Sequence, residues 1–107
     1  MTIATLSSTA LVPTDHASRY LQQLCKHWSH NLQVEFTAEN GTVIFPKEGR
    51  AGSFPGDAVV TFNAVEDGLA LRIDASSDAQ LESLKGVVAS HLDRFAFREG
   101  ELRYDWK

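Results

Sequence analysis

The side chains able to do chemistry gather in two short stretches. LCKHWSHN, residues 24–31, holds Cys25, His27 and His30; SHLDRFAFRE, residues 90–99, holds His91, Arg94 and Arg98. Three of the four histidines and the only cysteine lie there. Imidazole is an acid, a base or a metal ligand near neutral pH. Guanidinium recognises anions, and a thiol becomes reactive when a neighbouring cation lowers its pKa.

Helix geometry sorts these residues. At roughly 100° per residue, Cys25 and His27 project about 200° apart and cannot ligate one ion from a regular helix. His27 and His30 are three apart and could chelate together. His16 lies on a similar flank but ~16 Å away along the axis. Zinc usually takes three or four ligands, and His91 could be the third if the two flanks meet, although the spacing matches no zinc motif. The metal candidates are therefore His27, His30 and His91. The candidates for binding a small ligand are His27, His91, Arg94, Cys25 and Arg98.

Each residue also has a structural reading. His27 and His91 sit at the margins of apolar stripes, where a half-buried ring packs and bonds through one nitrogen. Cys25 suits a small buried hydrophobe. Arg94 and Arg98 stand beside Asp93 and Glu99, which allows a solvated salt-bridge network; the alternative is a small bound anion. No Ser/His/Asp arrangement or activated nucleophile is visible. The glycine-rich run EGRAGSFPG lacks the Lys-Ser/Thr ending of a phosphate loop and leads into a strand, so it reads as a connection.

The elements that must position these groups follow from periodicity. A strand is expected from Ala4 to Val12, ended by Pro13. Thr14 and Asp15 are N-cap candidates for a helix whose Ala17, Tyr20, Leu21, Leu24 and Trp28 share one face. Two hairpins follow. Asn40-Gly41, as a type I′ turn, is expected at the tip of the first and Asp67-Gly68 at the tip of the second. That register pairs Ala38 with Val43 and Phe36 with Phe45, then Ala64 with Leu71, Phe62 with Ile73 and Val60 with Ala75. Arg72 and Asp74 face the other way.

Ser77 and Gln80 have capping-box spacing at the head of a second helix, with Leu81, Leu84, Val88, Leu92 and Phe95 as its apolar stripe. Phe95 and Phe97 are expected in extended chain on one face, with a turn at Gly100. Leu102, Tyr104 and Trp106 then alternate with charged residues as a last strand. The order β-α-β-β-β-β-α-β makes an α+β, two-layer sandwich of a largely antiparallel sheet and two amphipathic helices.

Composition narrows the function classes. A chain of 107 residues has room for one domain. A net charge of -4 argues against a general nucleic-acid binder, which needs a basic face. A single cysteine excludes a disulfide framework. No run approaches the ~20 apolar residues of a membrane span, and no charged start precedes an apolar run as in a secretory signal. The expected location is the cytoplasm.

RYLQQLCKHWSHNLQVEF and HLDRFAFREGELRYDW resemble the signature of a family of small bacterial proteins, number 2218 among the domains of unknown function. The resemblance is carried by Tyr20, Leu21, Cys25, Lys26, His27, Trp28, His30, Phe45, Pro46 and residues 91–99. Lys47 to Asp57 is longer and richer in glycine than the family's usual short link. The resemblance implies no established activity. It points to an accessory role beside siderophore-interacting flavin reductases, and so to iron metabolism. Three readings result: a non-enzymatic protein binding an unknown small molecule or partner protein; a small metal protein or enzyme using a His27/His30/His91 cleft, its cofactor unknown; and a self-associating domain, a homodimer for example, suggested by Phe97 and Trp106.

Overall fold

The computed structural model describes residues 6–49, 52–99 and 102–107. The expected strand start at Ala4 and the turn at Gly100 lie outside them. Strand β1 spans Leu6–Pro13, helix α1 Ala17–Trp28, β2 Gln33–Phe36 and β3 Asn40–Phe45. A small hairpin, β4 Glu48–Gly49 and β5 Gly52–Ser53, occupies the glycine-rich connection. Strands β6 Ala58–Val65 and β7 Gly68–Ala75, helix α2 Asp78–Phe95 and a 3-10 turn Phe97–Glu99 complete the order. Five strands form an antiparallel sheet, β1-β7-β6-β3-β2. This is the expected α+β layout.

Alternation along the strands builds the core. Val12 from β1, Val43 from β3, Val60 and Phe62 from β6, and Leu69, Leu71 and Ile73 from β7 are buried. The two helices lay Tyr20, Leu21, Leu24, Trp28, Leu84, Val88 and Leu92 against them. Trp28 stacks on Phe62 with ring centroids 6.0 Å apart and meets Phe45 edge-on. Arg72 and Asp74 face outward and pair with each other.

Both hairpins depart from the expected register while keeping the strand side chains on their expected faces; Ala38, expected opposite Val43, falls instead in the exposed turn. In the first, Val34 pairs with Val43 and Phe36 with Gly41. The turn is made by residues 37–39, where the Thr37 hydroxyl accepts from the backbone N–H groups of Glu39 and Asn40, a local bond that closes a turn without positive φ. Asn40-Gly41 thus lies inside β3. Gly41 is needed there for proximity: a Cβ on it would stand 2.6 Å from the Cys25 sulfur. In the second hairpin Glu66 and Asp67 form the tip and Gly68 opens β7, pairing with Val65 and Pro13. Phe62 opposes Leu71 and Val60 opposes Ile73. Each shift is an even number of residues, so the period-two pattern survives it.

The helix ends show what local signals decided. Ser77 caps α2 by accepting from Gln80 N–H. The Gln80 side chain reaches Ser76 rather than Ser77: its carbonyl oxygen accepts from Ser76 N–H and its amide donates to the Gly56 carbonyl. Buried Gln80 therefore ties the connection before β6 to the head of α2. At α1 the expected side-chain cap is absent. His16 is the N-cap residue, and Thr14 instead accepts from His16 N–H and donates to Glu99.

Beyond α2, Phe97 turns out into solvent, 69% exposed, because the chain coils into the 3-10 turn instead of extending. Residues 102–107 keep the predicted alternation, Leu102, Tyr104 and Trp106 half-buried and their neighbours exposed. They meet the sheet edge at β1, where Thr9 and Lys107 exchange backbone hydrogen bonds and the Ser8 hydroxyl donates to the Lys107 carbonyl.

Candidate functional site

The C-terminal turns of α1 and α2 converge. Leu24 and Trp28 on α1, and Val88 and Leu92 on α2, are drawn into one core. That fixes which flank each helix offers to the other. His27 and His91 then meet, ring centroids 5.1 Å apart and planes tilted by 49°. His27 also touches Phe95 and Trp28, and His91 lies 5.1 Å from the Trp28 ring. A cavity of about 140 Å³ beside them is lined by Ser90, His91 and Arg94.

The histidines differ in what holds them. His91 is half-buried, and its Nδ1 stands 2.7 Å from the Val87 carbonyl oxygen. A carbonyl can only accept, so Nδ1 carries the proton of the neutral ring and Nε2 keeps a lone pair. His27 is exposed and makes no hydrogen bond among those of the described residues. Desolvation, then the charges of His91, Arg94 and His30, hold its pKa below the ordinary 6.5. His30 is exposed.

That shift sets a pH dependence. The unfolded chain takes up this proton first, so stability is unaffected above about pH 6.5. It falls as the pH drops from there through the lower folded value, then levels off. The groups facing His27 on this count are His91 and Arg94 from α2 and His30 beyond α1. Urea midpoints measured between pH 7.5 and 5 should fall less in His27→Gln than in the parent chain.

The arginines are not neutralised by their sequence neighbours. The Asp93 carboxylate accepts from the Tyr104 hydroxyl at 2.7 Å, and Glu99 accepts from Thr14 at 2.8 Å. The ion pairs among the described residues are Arg72–Asp74 and Lys85–Glu82. The salt-bridge network allowed by the sequence around Arg94 and Arg98 is thus not formed. Arg94 borders the cavity, while Arg98 lies over the exposed Phe97 ring, 5.7 Å from its centroid.

Cys25 is remote from this chemistry. It is fully buried against Gly41, and loss of solvent pushes its thiol up to about 11. It is a packing atom on the opposite flank of α1 and does not line the cavity. Among the described residues no three His, Cys, Asp or Glu side chains are grouped to hold a metal ion, so the His27/His30/His91 triad is not assembled. Two residues that were not among the site candidates contribute. Ser90 lines the cavity, and the Tyr104 hydroxyl donates to Asp93. Ser90 shares its helix face with His91 and Arg94, a spacing legible in the sequence, whereas Tyr104 reaches Asp93 only through the fold.

Among the described residues no helix is long and apolar enough to cross a membrane. A family model described as an uncharacterized protein conserved in bacteria (DUF2218) matches residues 9–107. Among solved structures, the chain is similar to the NMR structure of PA4090 from Pseudomonas aeruginosa. The identity is 32%, the TM-score 0.71, and 94% of each chain is covered. No curated protein matches it.

Proposed function

The chain belongs to the DUF2218 family of uncharacterised bacterial proteins, and we propose that it is a non-enzymatic, cytoplasmic accessory protein that binds a small anion at the last turns of α2, beside the His27–His91 contact. The observation that carries this reading is Arg94. It borders a cavity beside two histidines, and both nearby carboxylates are engaged elsewhere. A guanidinium with no carboxylate partner among the described residues, at a concave site, is a standing donor set for a carboxylate or phosphate. The Ser90 hydroxyl, now donating to the Val87 carbonyl, and the ring of His91 complete the lining. The volume admits an anionic group of a few atoms. A setting in siderophore metabolism rests on the family resemblance, and such a cavity would take one acidic arm of a siderophore rather than the whole molecule.

The test is a titration with inorganic phosphate, and separately with acetate, followed by amide and imidazole NMR shifts. Shifts should cluster at Ser90, His91 and Arg94. Arg94→Gln should weaken binding about tenfold or more, the worth of a charged hydrogen bond, and Arg98→Gln should leave it unchanged. Equal effects of the two substitutions, or shifts scattered over the surface, would refute the site.

A further inference from the structure

We infer that His27 and His91 form a two-histidine site for a transition-metal dication such as Cu(II), Ni(II) or Zn(II), a site that needs neither His30 nor Cys25. The argument is geometric. Two imidazoles bound to one tetrahedral ion at metal–nitrogen distances of about 2.0–2.1 Å place their ring centroids about 5 Å apart. The His27 and His91 centroids are 5.1 Å apart, with the planes tilted rather than stacked. The rings come from different helices, so their spacing is fixed by the core beneath them and not by a flexible loop. Leu24 and Trp28 anchor one side, Val88 and Leu92 the other, and all four are buried.

His91 also has the supporting contact that metal-binding histidines use. Its Nδ1–H is held by the Val87 carbonyl, which fixes the tautomer and leaves Nε2 with the lone pair a metal requires. His27 has no hydrogen-bond partner among the described residues and can turn its ring without breaking one.

Imidazole pairs favour copper, nickel and zinc over harder ions. No third His, Cys, Asp or Glu is grouped with the pair among the described residues. The remaining positions on the ion therefore go to water or to an anion. Arg94 opposes a bare dication by its charge, yet is placed to hold an anion that such an ion recruits. The inference goes beyond anion binding and stands without it, because the metal can be tested alone.

Untagged protein is titrated with Zn(II), and separately Cu(II), in a non-coordinating buffer free of phosphate. Long-range proton–nitrogen spectra of the histidine rings report the ligands directly in the parent chain. One equivalent of Zn(II) should shift His27 and His91 together and leave His16 unmoved. Cu(II) should give an electron paramagnetic resonance signal with two nitrogen ligands. His27→Gln and His91→Gln should each lower affinity tenfold or more, and His30→Gln less than twofold. The ring spectra of the unaltered protein keep the test valid if His91→Gln fails to fold. Absence of metal-dependent shifts at His27 and His91 would overturn the pair. So would loss of binding in His30→Gln matching that in His27→Gln. Phosphate binding that persists without metal would leave the anion site standing on its own.

Discussion

Phe62→Ala is expected to destabilise the fold by about 3–5 kcal/mol, the range for removing a large aromatic side chain from a close-packed core. Phe62 sits on β6, in the middle of the five-stranded sheet, and has no exposed surface. Its ring stacks on Trp28 of α1, so truncation removes both buried area and the aromatic contact that seats the helix on the sheet. The void cannot fill readily, because Val60 and Ile73 are strand-bound neighbours in the same register. Urea denaturation followed by circular dichroism should show a lower midpoint with little change in slope. Phe97→Ala is the internal control. The ring is 69% exposed, so its loss should stay within about 0.5 kcal/mol. A Phe62→Ala cost below about 1 kcal/mol would mean that the core is not packed as described.

The second large effect is expected at Gly68. Its φ of +151° lies where L side chains are strained, and an added Cβ would meet the backbone carbonyl oxygen of Val12. Backbone strain of this kind costs about 1–3 kcal/mol, and here the clash is with backbone of the adjoining strand β1, which cannot rotate away. Gly68→Ala should therefore lose about 2–4 kcal/mol. Gly86 supplies the opposite sign. It lies within α2, and an added Cβ there would meet nothing within 4 Å. Gly86→Ala should gain about 0.5–1 kcal/mol, the helix-propensity difference. Paired denaturation curves for the two variants decide the matter: similar shifts in both would show that Gly68 is not conformationally constrained.

Much of this protein was determined by local pattern. Apolar spacing of three and four identified both helices and their buried faces. Period-two alternation identified the inward residues of β6 and β7 and the outward Arg72 and Asp74. Ser77 announced the start of α2 because a capping hydroxyl needs only the N–H three residues ahead. The near-opposite projection of Cys25 and His27 also followed from the helix alone.

Tertiary structure decided the rest, and the two Xaa-Gly pairs show why. Asn40-Gly41 and Asp67-Gly68 look like turn tips when only backbone freedom is weighed. In the fold each glycine is instead required by something distant in sequence: Gly41 by the Cys25 sulfur on α1, Gly68 by the Val12 carbonyl on β1. The candidate site follows the same rule. Sequence placed His27 and His91 at helix margins and Arg94 beside acidic neighbours. It could not show that the two rings would meet, that Tyr104 and Thr14 would engage Asp93 and Glu99, or that His30 would fall short of a metal triad. Those outcomes depend on how two helices seat on one sheet. Side-chain packing sets that geometry, and no short stretch of the chain encodes it.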